Sequence, residues 1–152
     1  MLELYRKVGS ATLIMEHKNN LRDILPDASD KLVNAIQNSD EARKRAEVEL
    51  EYDLRYGIEP LTMNDERYPS RLKECDDAPL MLFYKGNANL NQQRVINIVG
   101  TRHCTPYGED LIRRFVTELK QLCPQVLIVS GLAYGVDINA HRQALDKGYE
   151  TV

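Results

Sequence analysis

Cysteine is scarce in this chain, and its pattern excludes two kinds of small protein. The 152 residues include three cysteines, at Cys75, Cys104 and Cys123. An odd number of widely spaced thiols suits neither a disulfide framework nor a C-x-x-C metal site. We therefore predict a protein of the reducing cytoplasm, without a metal centre.

Long hydrophobic runs and an excess of positive charge are missing as well. No segment approaches the ~20 apolar residues that a membrane helix needs, and the N-terminus lacks a signal-peptide pattern. These absences predict a soluble protein that is not secreted and has no membrane partner. The net charge of -3 argues mildly against DNA, because binding would need a local basic patch rather than a positive field over the whole protein.

The composition that remains is that of an ordinary soluble domain, with 43% hydrophobic and 28% charged residues. A chain of this length can bury one moderate core and carry a small appendage. The sequence contains no low-complexity segment, and its one internal repetition is a pair of strand-loop-helix patterns.

These two patterns occupy residues 94–141. In the first, the apolar run 95–99 ends at Gly100, and in the second the run 126–129 is followed by Ser130 and Gly131. Such runs are typical of parallel strands that are buried on both faces. Because both loops leave the carboxyl ends of neighbouring strands, we expect them to form one binding crevice.

The helices after these loops favour an anion as the ligand. Thr105 followed by Pro106 is a helix-start signal, and Gly148 suits the C-terminal cap of the second helix. Free N–H groups at a helix N-terminus attract phosphate, and we expect Arg102, Ser130 and the loop amides to be the donors. Neither G-x-G-x-x-G nor G-x-x-x-x-G-K-[ST] occurs, so the spacing alone predicts an anion site and nothing more specific.

Helical spacing predicts further elements. The helix after Thr105 should pack on the sheet through an apolar face that comprises Leu111, Ile112, Phe115, Val116, Leu119 and Leu122. Residues 1–56 read as short helices that end near Gly9 or begin after Ser10 and Ser29. A charged helix then runs over 41–56 to a stop at Gly57, and its predicted inner face comprises Ala46, Leu50, Asp53 and Leu54. Residues 58–63 and 80–84 are short strand candidates.

Several linked motifs resemble the DNA-processing protein A (DprA/Smf) family. They are Ile98-Val99-Gly100-Thr101-Arg102, Thr105-Pro106-Tyr107-Gly108 and Ser130-Gly131-Leu132-Ala133-Tyr134-Gly135-Val136-Asp137, followed by Ala140-His141. Upstream, Tyr68-Pro69, Asp77-Ala78-Pro79 and Tyr84-Lys85-Gly86 look like the lead-in of that family. The resemblance covers residues 57–152.

The resemblance implies an α/β fold with a doubly wound, mostly parallel Rossmann-like sheet over 57–152, preceded by a small helical domain of the helix-hairpin-helix or sterile-alpha-motif kind over 1–56. That domain often opens with a Gly-Ile-Gly hairpin, which is absent here, so we expect the sequence to start inside the domain. The sheet also looks incomplete, because a third strand pattern at Tyr149-Glu150-Thr151-Val152 stops as it begins. An unpaired apolar sheet edge invites pairing, so we expect self-association, strand exchange or a companion fragment.

As function, the resemblance implies a non-enzymatic single-stranded-DNA-binding protein without a cofactor, which acts in natural transformation and loads a RecA-type recombinase. Arg102 occupies the arginine position of a Gly-Ser-Arg motif that contacts the DNA backbone, and Thr101 replaces the serine. Asp137 and His141 are expected to support the loop. The implied DNA- or phosphate-binding residues are Gly100, Thr101, Arg102, Thr105, Tyr107, Gly108, Ser130, Gly131, Leu132, Ala133, Tyr134 and Gly135.

Other interpretations of these residues stay open. Asp137 and His141 lie four apart on one helix face and could form a carboxylate-oriented catalytic histidine, as in a nucleotide-hydrolysing phosphoribohydrolase of the related lysine-decarboxylase-like group. The P-G-G-x-G-T-x-x-E motif of that group does not occur. Cys104, near a helix start, could be reactive or merely space-filling, and Tyr107 and Tyr134 could stack on bases or pack on the neighbouring loop. A structural module with a vestigial anion site is a third interpretation.

Overall fold

A computed structural model describes residues 2–152. The chain divides into two compact units. The first contains the described residues up to Asp65 together with Arg71–Lys85, and the second contains Glu66–Ser70 and Gly86–Val152. The contacts thus group the first pair of strands with the helices, whereas the domain boundary expected between residues 56 and 57 remains a prediction.

The first unit begins with a series of helices, two of which start after a serine. They are α1 (Leu2–Val8), α2 (Ala11–Glu16), a 3-10 turn (Leu21–Asp23), α3 (Asp30–Gln37) and α4 (Asp40–Tyr56). The hydroxyls of Ser10 and Ser29 accept hydrogen bonds from the Leu13 and Leu32 amides, so both serines are N-caps and the two predicted helix starts are confirmed. The helices bury a small core that contains Leu4, Ile14, Leu21, Ala28 and Ile36.

The predicted inner face of α4 is wrong. Asp53 is the one buried residue of this helix, at 3% exposure, whereas Leu50 is 43% and Leu54 81% exposed and Ala46 is exposed. Among the described elements, α4 makes its main contact with strand β1 (Glu59–Thr62), which follows the helix directly. Gly57 ends the helix in the left-handed conformation, as predicted, with φ 64°. Helical spacing of apolar residues therefore did not ensure a covering partner.

Two short strands complete the first unit. β1 pairs antiparallel with β2 (Met81–Tyr84), with Leu61 opposite Leu82. Both were predicted from sequence. The short helix α5 (Ser70–Lys73) lies between them in sequence.

The second unit is an alternating α/β layer, which confirms the predicted fold class. Its strands β3 (Val95–Asn97), β4 (Leu127–Val129) and β5 (Glu150–Thr151) are parallel and lie in the order β3-β4-β5. Helices α6 (Pro106–Leu122) and α7 (Val136–Asp146) connect them. The buried core contains Ile112, Val116, Val126, Ile128, Ala140, Ala144 and Tyr149.

Half of the predicted inner face of α6 is also exposed. Ile112 and Val116 are buried, but Leu111 is 48%, Phe115 44% and Leu122 80% exposed. Ile112 and Val116 share a buried core with Val126 and Ile128, and Ile96 and Ile98 pack partly buried against it. Helical spacing therefore predicted the buried pair but not how far the covered face extends. Among the described helices, none is both long and apolar enough to cross a membrane.

Candidate anion-binding cleft

The two glycine loops meet above the carboxyl ends of β3 and β4, as the sequence predicted. The first loop joins β3 to α6, and the second joins β4 to α7. The Val136 amide, at the start of α7, donates to the Thr101 carbonyl over 3.1 Å and so joins the two loops directly. A cleft of about 420 Å³ opens beside this contact, lined by Arg102, Leu132, Ala133, Tyr134 and Ile138.

Two glycines are required by the contact between the loops. Gly135 has φ 85° and ψ -124°, a region that other residues avoid. A Cβ at this position would lie 2.2 Å from the Thr101 carbonyl oxygen. Gly100 is close to Val136, whose Cγ2 would lie 2.8 Å from an added Cβ. The backbone of one loop therefore packs on the other at a distance that excludes side chains.

The buried side chain of Asp137 contacts both glycine loops. Its side chain is buried, and Oδ1 accepts a hydrogen bond from the Gly100 amide at 3.3 Å. Oδ2 lies close to Gly131, where an added Cβ would approach it to 2.8 Å. One carboxylate thus contacts both glycine loops.

His141 does not form the predicted pair with Asp137. Its Nδ1 lies 2.7 Å from the Thr151 hydroxyl, which donates its own proton to the Ile128 carbonyl over 2.8 Å. Because that hydroxyl has one proton, it must accept from Nδ1–H, which leaves Nε2 as the bare acceptor nitrogen. Nε2 is buried and has no hydrogen-bond partner among the described residues. His141 therefore connects α7 to β5 and does not act on the cleft through Asp137.

Ser130 is engaged in the sheet. Its hydroxyl donates to the Ile98 carbonyl over 2.6 Å, and its amide donates to the Val152 carbonyl over 2.9 Å. Both of its donors are thus used to anchor the second loop between neighbouring strands. The expected contact of Ser130 with an anion remains a prediction, and it would require the hydroxyl to leave Ile98.

The first turns of α6 and α7 are largely satisfied within the fold. The Thr105 hydroxyl accepts from the Gly108 amide at 3.2 Å, so Thr105 is the predicted N-cap and Pro106 the first helical residue. At α7, the Val136 amide is taken by the Thr101 carbonyl and the Ile138 amide by the Ala133 carbonyl. Donors for a ligand must therefore come chiefly from the loops.

The loops do offer such donors. Within the part of the chain that the structure describes, no hydrogen bond uses the amides of Thr101, Arg102, Gly131, Leu132, Ala133, Tyr134 and Gly135. Arg102 is exposed and makes no ion pair with a described residue. By contrast, Arg114 lies 2.9 Å from the Asp110 carboxylate. Arg102 is therefore an exposed cation without an ion pair among the described residues.

Large side chains in the second loop and in the first turn of α6 are exposed to solvent. Tyr107 is 70%, Leu132 69% and Tyr134 84% exposed. Leu132 also has φ 55°, a left-handed conformation that costs energy for a residue other than glycine and clusters at functional sites. The left-handed backbone and Ile138 as a lining residue were not predicted, because neither has a signal in a single sequence.

Cys104 fills space behind the first turn of α6. A Cβ on Gly108 would lie 2.9 Å from its sulfur, so the thiol packs directly against that turn. The described residues contain no group of three His, Cys, Asp or Glu side chains that could hold a metal ion.

Alanine in place of Asp137 should destabilise the second unit by about 1 kcal/mol, the usual value of a side-chain hydrogen bond, because the Gly100 amide loses its acceptor. Asp146→Ala, at the exposed end of the same helix, is the matched control and should change little. Urea unfolding of both variants measures the difference. Equal stability of the two variants would show that the contact with Gly100 contributes nothing.

Comparison with known proteins places this geometry in a family. Residues 59–152 match the family described as DNA recombination-mediator protein A. DNA processing protein DprA of Streptococcus pneumoniae is 40% identical over 88 residues, which cover 58% of this chain and 30% of that protein. DNA processing protein DprA of Bacillus subtilis is 36% identical over 98 residues, which cover 63% of this chain and 32% of that protein.

The fold agrees with these relatives. The X-ray structure of DNA processing protein A (DprA) from Streptococcus pneumoniae matches with a TM-score of 0.64 and 26% identity, over 99% of this chain and 54% of that chain. The chain thus spans about a third of the length of these curated relatives and about half of the solved chain. Since the family match covers more than half of the sequence and includes both glycine loops, this chain belongs to the DNA recombination-mediator protein A family.

Proposed function

We propose that this protein binds single-stranded DNA and holds its backbone phosphates in the cleft between the two glycine loops. The observation that carries the proposal is a group of donors without partners among the described residues, namely the Arg102 guanidinium, which makes no ion pair with them, and a run of loop amides. A guanidinium and several converging N–H groups are the usual donors to a phosphate. The names of the relatives, which are DNA processing proteins, support the same ligand class.

The surroundings of Arg102 favour a single strand over a duplex. Tyr134 presents an exposed ring at the cleft, and Tyr107 is exposed in the first turn of α6. Stacking on such rings requires bases that are not already paired. The net charge of -3 provides no positive field over the whole protein, so attraction must be local and supplemented by contacts to bases. A strand that is free to splay its bases can use both kinds of contact.

A binding role without turnover agrees with the state of the polar side chains near the cleft. The possible catalytic pair and the nearby serine each make a hydrogen bond within the fold: Asp137 with Gly100, His141 with Thr151 and Ser130 with Ile98. Asp137 and the unpartnered Nε2 of His141 are buried, and the Ser130 hydroxyl already donates its proton to Ile98. The alternative, a phosphoribohydrolase, predicts release of base from nucleotides. If such an activity were measured and then lost in His141→Ala, the non-enzymatic proposal would be wrong.

The cellular role belongs to the same proposal. By its resemblance to DprA proteins, the chain acts in natural transformation in the cytoplasm, associates with itself and delivers single strands to a RecA-type recombinase, with no cofactor. Expected contributions from Gly100, Thr105 and Gly108 are structural, because these residues shape the loops that carry the donors.

Arg102→Ala is expected to weaken binding to a single-stranded oligonucleotide and to reduce its dependence on salt. Loss of one phosphate contact should reduce the slope of log K against log[salt] by ~0.7. Fluorescence anisotropy over a series of salt concentrations measures both quantities.

The matched control is Arg142→Ala, which removes the same charge from an exposed site on α7 that does not line the cleft. It should leave the salt slope close to that of the unmodified protein. If Arg102→Ala is folded and its slope and affinity equal those of Arg142→Ala, the cleft is not the site of phosphate contact.

A further inference from the structure

Leu132, in the second glycine loop, has a backbone conformation that favours glycine. Its φ is 55°, and it is the one residue other than glycine with a positive φ in the part of the chain that the structure describes. In this left-handed conformation a Cβ crowds the following carbonyl oxygen, whereas glycine adopts it without that cost. The loop therefore carries a leucine at a position where glycine would be less strained.

The side chain of Leu132 does not offset this strain within the fold. It is 69% exposed and belongs to neither of the two described hydrophobic cores. A side chain that stays in solvent gains little from the burial of apolar surface. Strained residues of this kind cluster where a protein contacts its ligand. The exposed leucine side chain thus points to a contact outside the fold.

The stretch of loop around Leu132 is anchored on both sides. Before it, the Ser130 hydroxyl donates to the Ile98 carbonyl over 2.6 Å. After it, the Ala133 carbonyl accepts from the Ile138 amide over 3.0 Å. Leu132 is therefore held between one contact to β3 and one contact to α7, and its side chain starts from a fixed backbone.

Leu132 and Tyr134 line the same cleft, together with Arg102. Neighbouring bases of a single strand stack on each other, so a base offers a free face to a tyrosine ring only when one neighbour is moved away. In DNA complexes, apolar side chains such as leucine separate neighbouring bases by inserting between them. An exposed leucine two residues before an exposed tyrosine suits these two roles.

We propose that Leu132 inserts between two neighbouring bases of a bound single strand and unstacks them, which frees one base face for the ring of Tyr134. The inference rests on the proposed function and adds to it the requirement that the ligand carry adjacent bases, which free phosphate lacks. An apolar surface of a protein partner is the competing contact for Leu132. Replacement of Leu132 would then leave the affinity for DNA unchanged.

Leu132→Gly tests the proposal because binding and stability should respond differently. Loss of the side chain should weaken binding to a single-stranded oligonucleotide about fivefold, as expected if the ligand covers about half of an exposed leucine. Relief of the left-handed strain should leave the midpoint of thermal unfolding unchanged or raise it. Anisotropy and circular dichroism measure the two quantities. A lower midpoint would show that Leu132 serves the packing of the fold and would overturn the proposal.

Unstacking is measured separately from affinity. The fluorescence of adjacent 2-aminopurine bases in an oligonucleotide rises when they lose their stacked neighbours. At saturating concentration, the unmodified chain should produce this rise, and Leu132→Gly and Leu132→Ala should lose most of it. Leu145→Ala is the matched control, because Leu145 is a 65% exposed leucine on α7 that does not line the cleft. It should change neither the affinity nor the fluorescence.

The outcomes separate this inference from the proposed function. Unchanged affinity in both Leu132 variants would overturn the inference, and so would a weakened affinity with an unaltered rise in fluorescence. In either case the proposed function stands if Arg102→Ala still reduces the salt slope, because that measurement does not involve Leu132. If the unmodified chain does not bind the oligonucleotide, the proposed function is wrong and this inference is wrong with it.

Discussion

Alanine in place of Gly135 should destabilise the second unit by about 3 kcal/mol or more, the largest effect expected from a single methyl group in this chain. Two costs add at this position. The backbone has φ 85° and ψ -124°, which strains any residue with a Cβ. The added carbon would also lie 2.2 Å from the Thr101 carbonyl oxygen and 2.5 Å from the Arg102 carbonyl carbon, and a backbone cannot move aside as the end of a side chain can.

Gly148→Ala separates the two costs. Gly148 also has a positive φ, 67°, but an added Cβ there would have no neighbour within 4 Å. It should lose about 1 kcal/mol from backbone strain alone. Guanidinium unfolding followed by circular dichroism compares the two variants. If Gly135→Ala costs no more than Gly148→Ala, the two loops do not pack as closely as described.

The packing around Gly135 changes how the glycine motifs are understood. In sequence they look like features that admit a phosphate to the backbone. In the structure, the absence of side chains at Gly100 and Gly135 allows the two loops to pack closely against each other. The buried Asp137 carboxylate accepts a hydrogen bond from the Gly100 amide. The amides that have no acceptor among the described residues belong to Thr101, Arg102 and residues 131–135, in the same two loops.

Features that depend on neighbouring residues in sequence were predictable. Ser10, Ser29 and Thr105 cap helices because a hydroxyl before a helix can reach an amide three residues on. The meeting of the two loops was predictable too, since parallel strands of one sheet direct their carboxyl ends to the same edge. These expectations need no knowledge of distant contacts.

Features that depend on which element packs against a given helix face could not be predicted from the sequence. Leu54 and Leu122 have the helical spacing of core residues but are 81% and 80% exposed, because spacing defines a face without showing that anything covers it. His141 likewise has a carboxylate four residues away, yet its partner is Thr151, which the parallel pairing of β4 and β5 brings alongside. In both cases the decisive neighbour is set by tertiary packing.

The polar residues of the two loops show why local sequence is not enough to assign a role. Arg102 was predicted to face a ligand because it follows an apolar strand pattern by a few positions; the structure shows it exposed and without an ion pair among the described residues, and its contact with a ligand remains a prediction. Ser130 directly follows β4, but its hydroxyl bonds to Ile98. Whether a polar side chain after a strand serves the ligand or the fold depends on the strand beside it, which the sequence does not specify.

Tyr134→Ala should weaken binding to single-stranded DNA by about tenfold or more, while leaving its salt dependence unchanged. Tyr134 is 84% exposed and lines the cleft beside Arg102. Stacking of one base on an aromatic ring contributes ~1–3 kcal/mol, and it releases no counterions. Anisotropy titrations at several salt concentrations should therefore shift the whole line of log K against log[salt] downward without altering its slope.

Tyr134→Phe is the matched control, because it keeps the ring and removes only the hydroxyl. Its affinity should stay close to that of the unmodified protein, since stacking needs the face of the ring rather than the oxygen. Arg102→Ala should show the opposite signature, a reduced slope, because it removes a charge-neutralising contact. If Tyr134→Ala binds as tightly as Tyr134→Phe, the ring does not contact a base. If instead Tyr134→Ala changes the slope as Arg102→Ala does, the ring acts by positioning the guanidinium rather than by stacking.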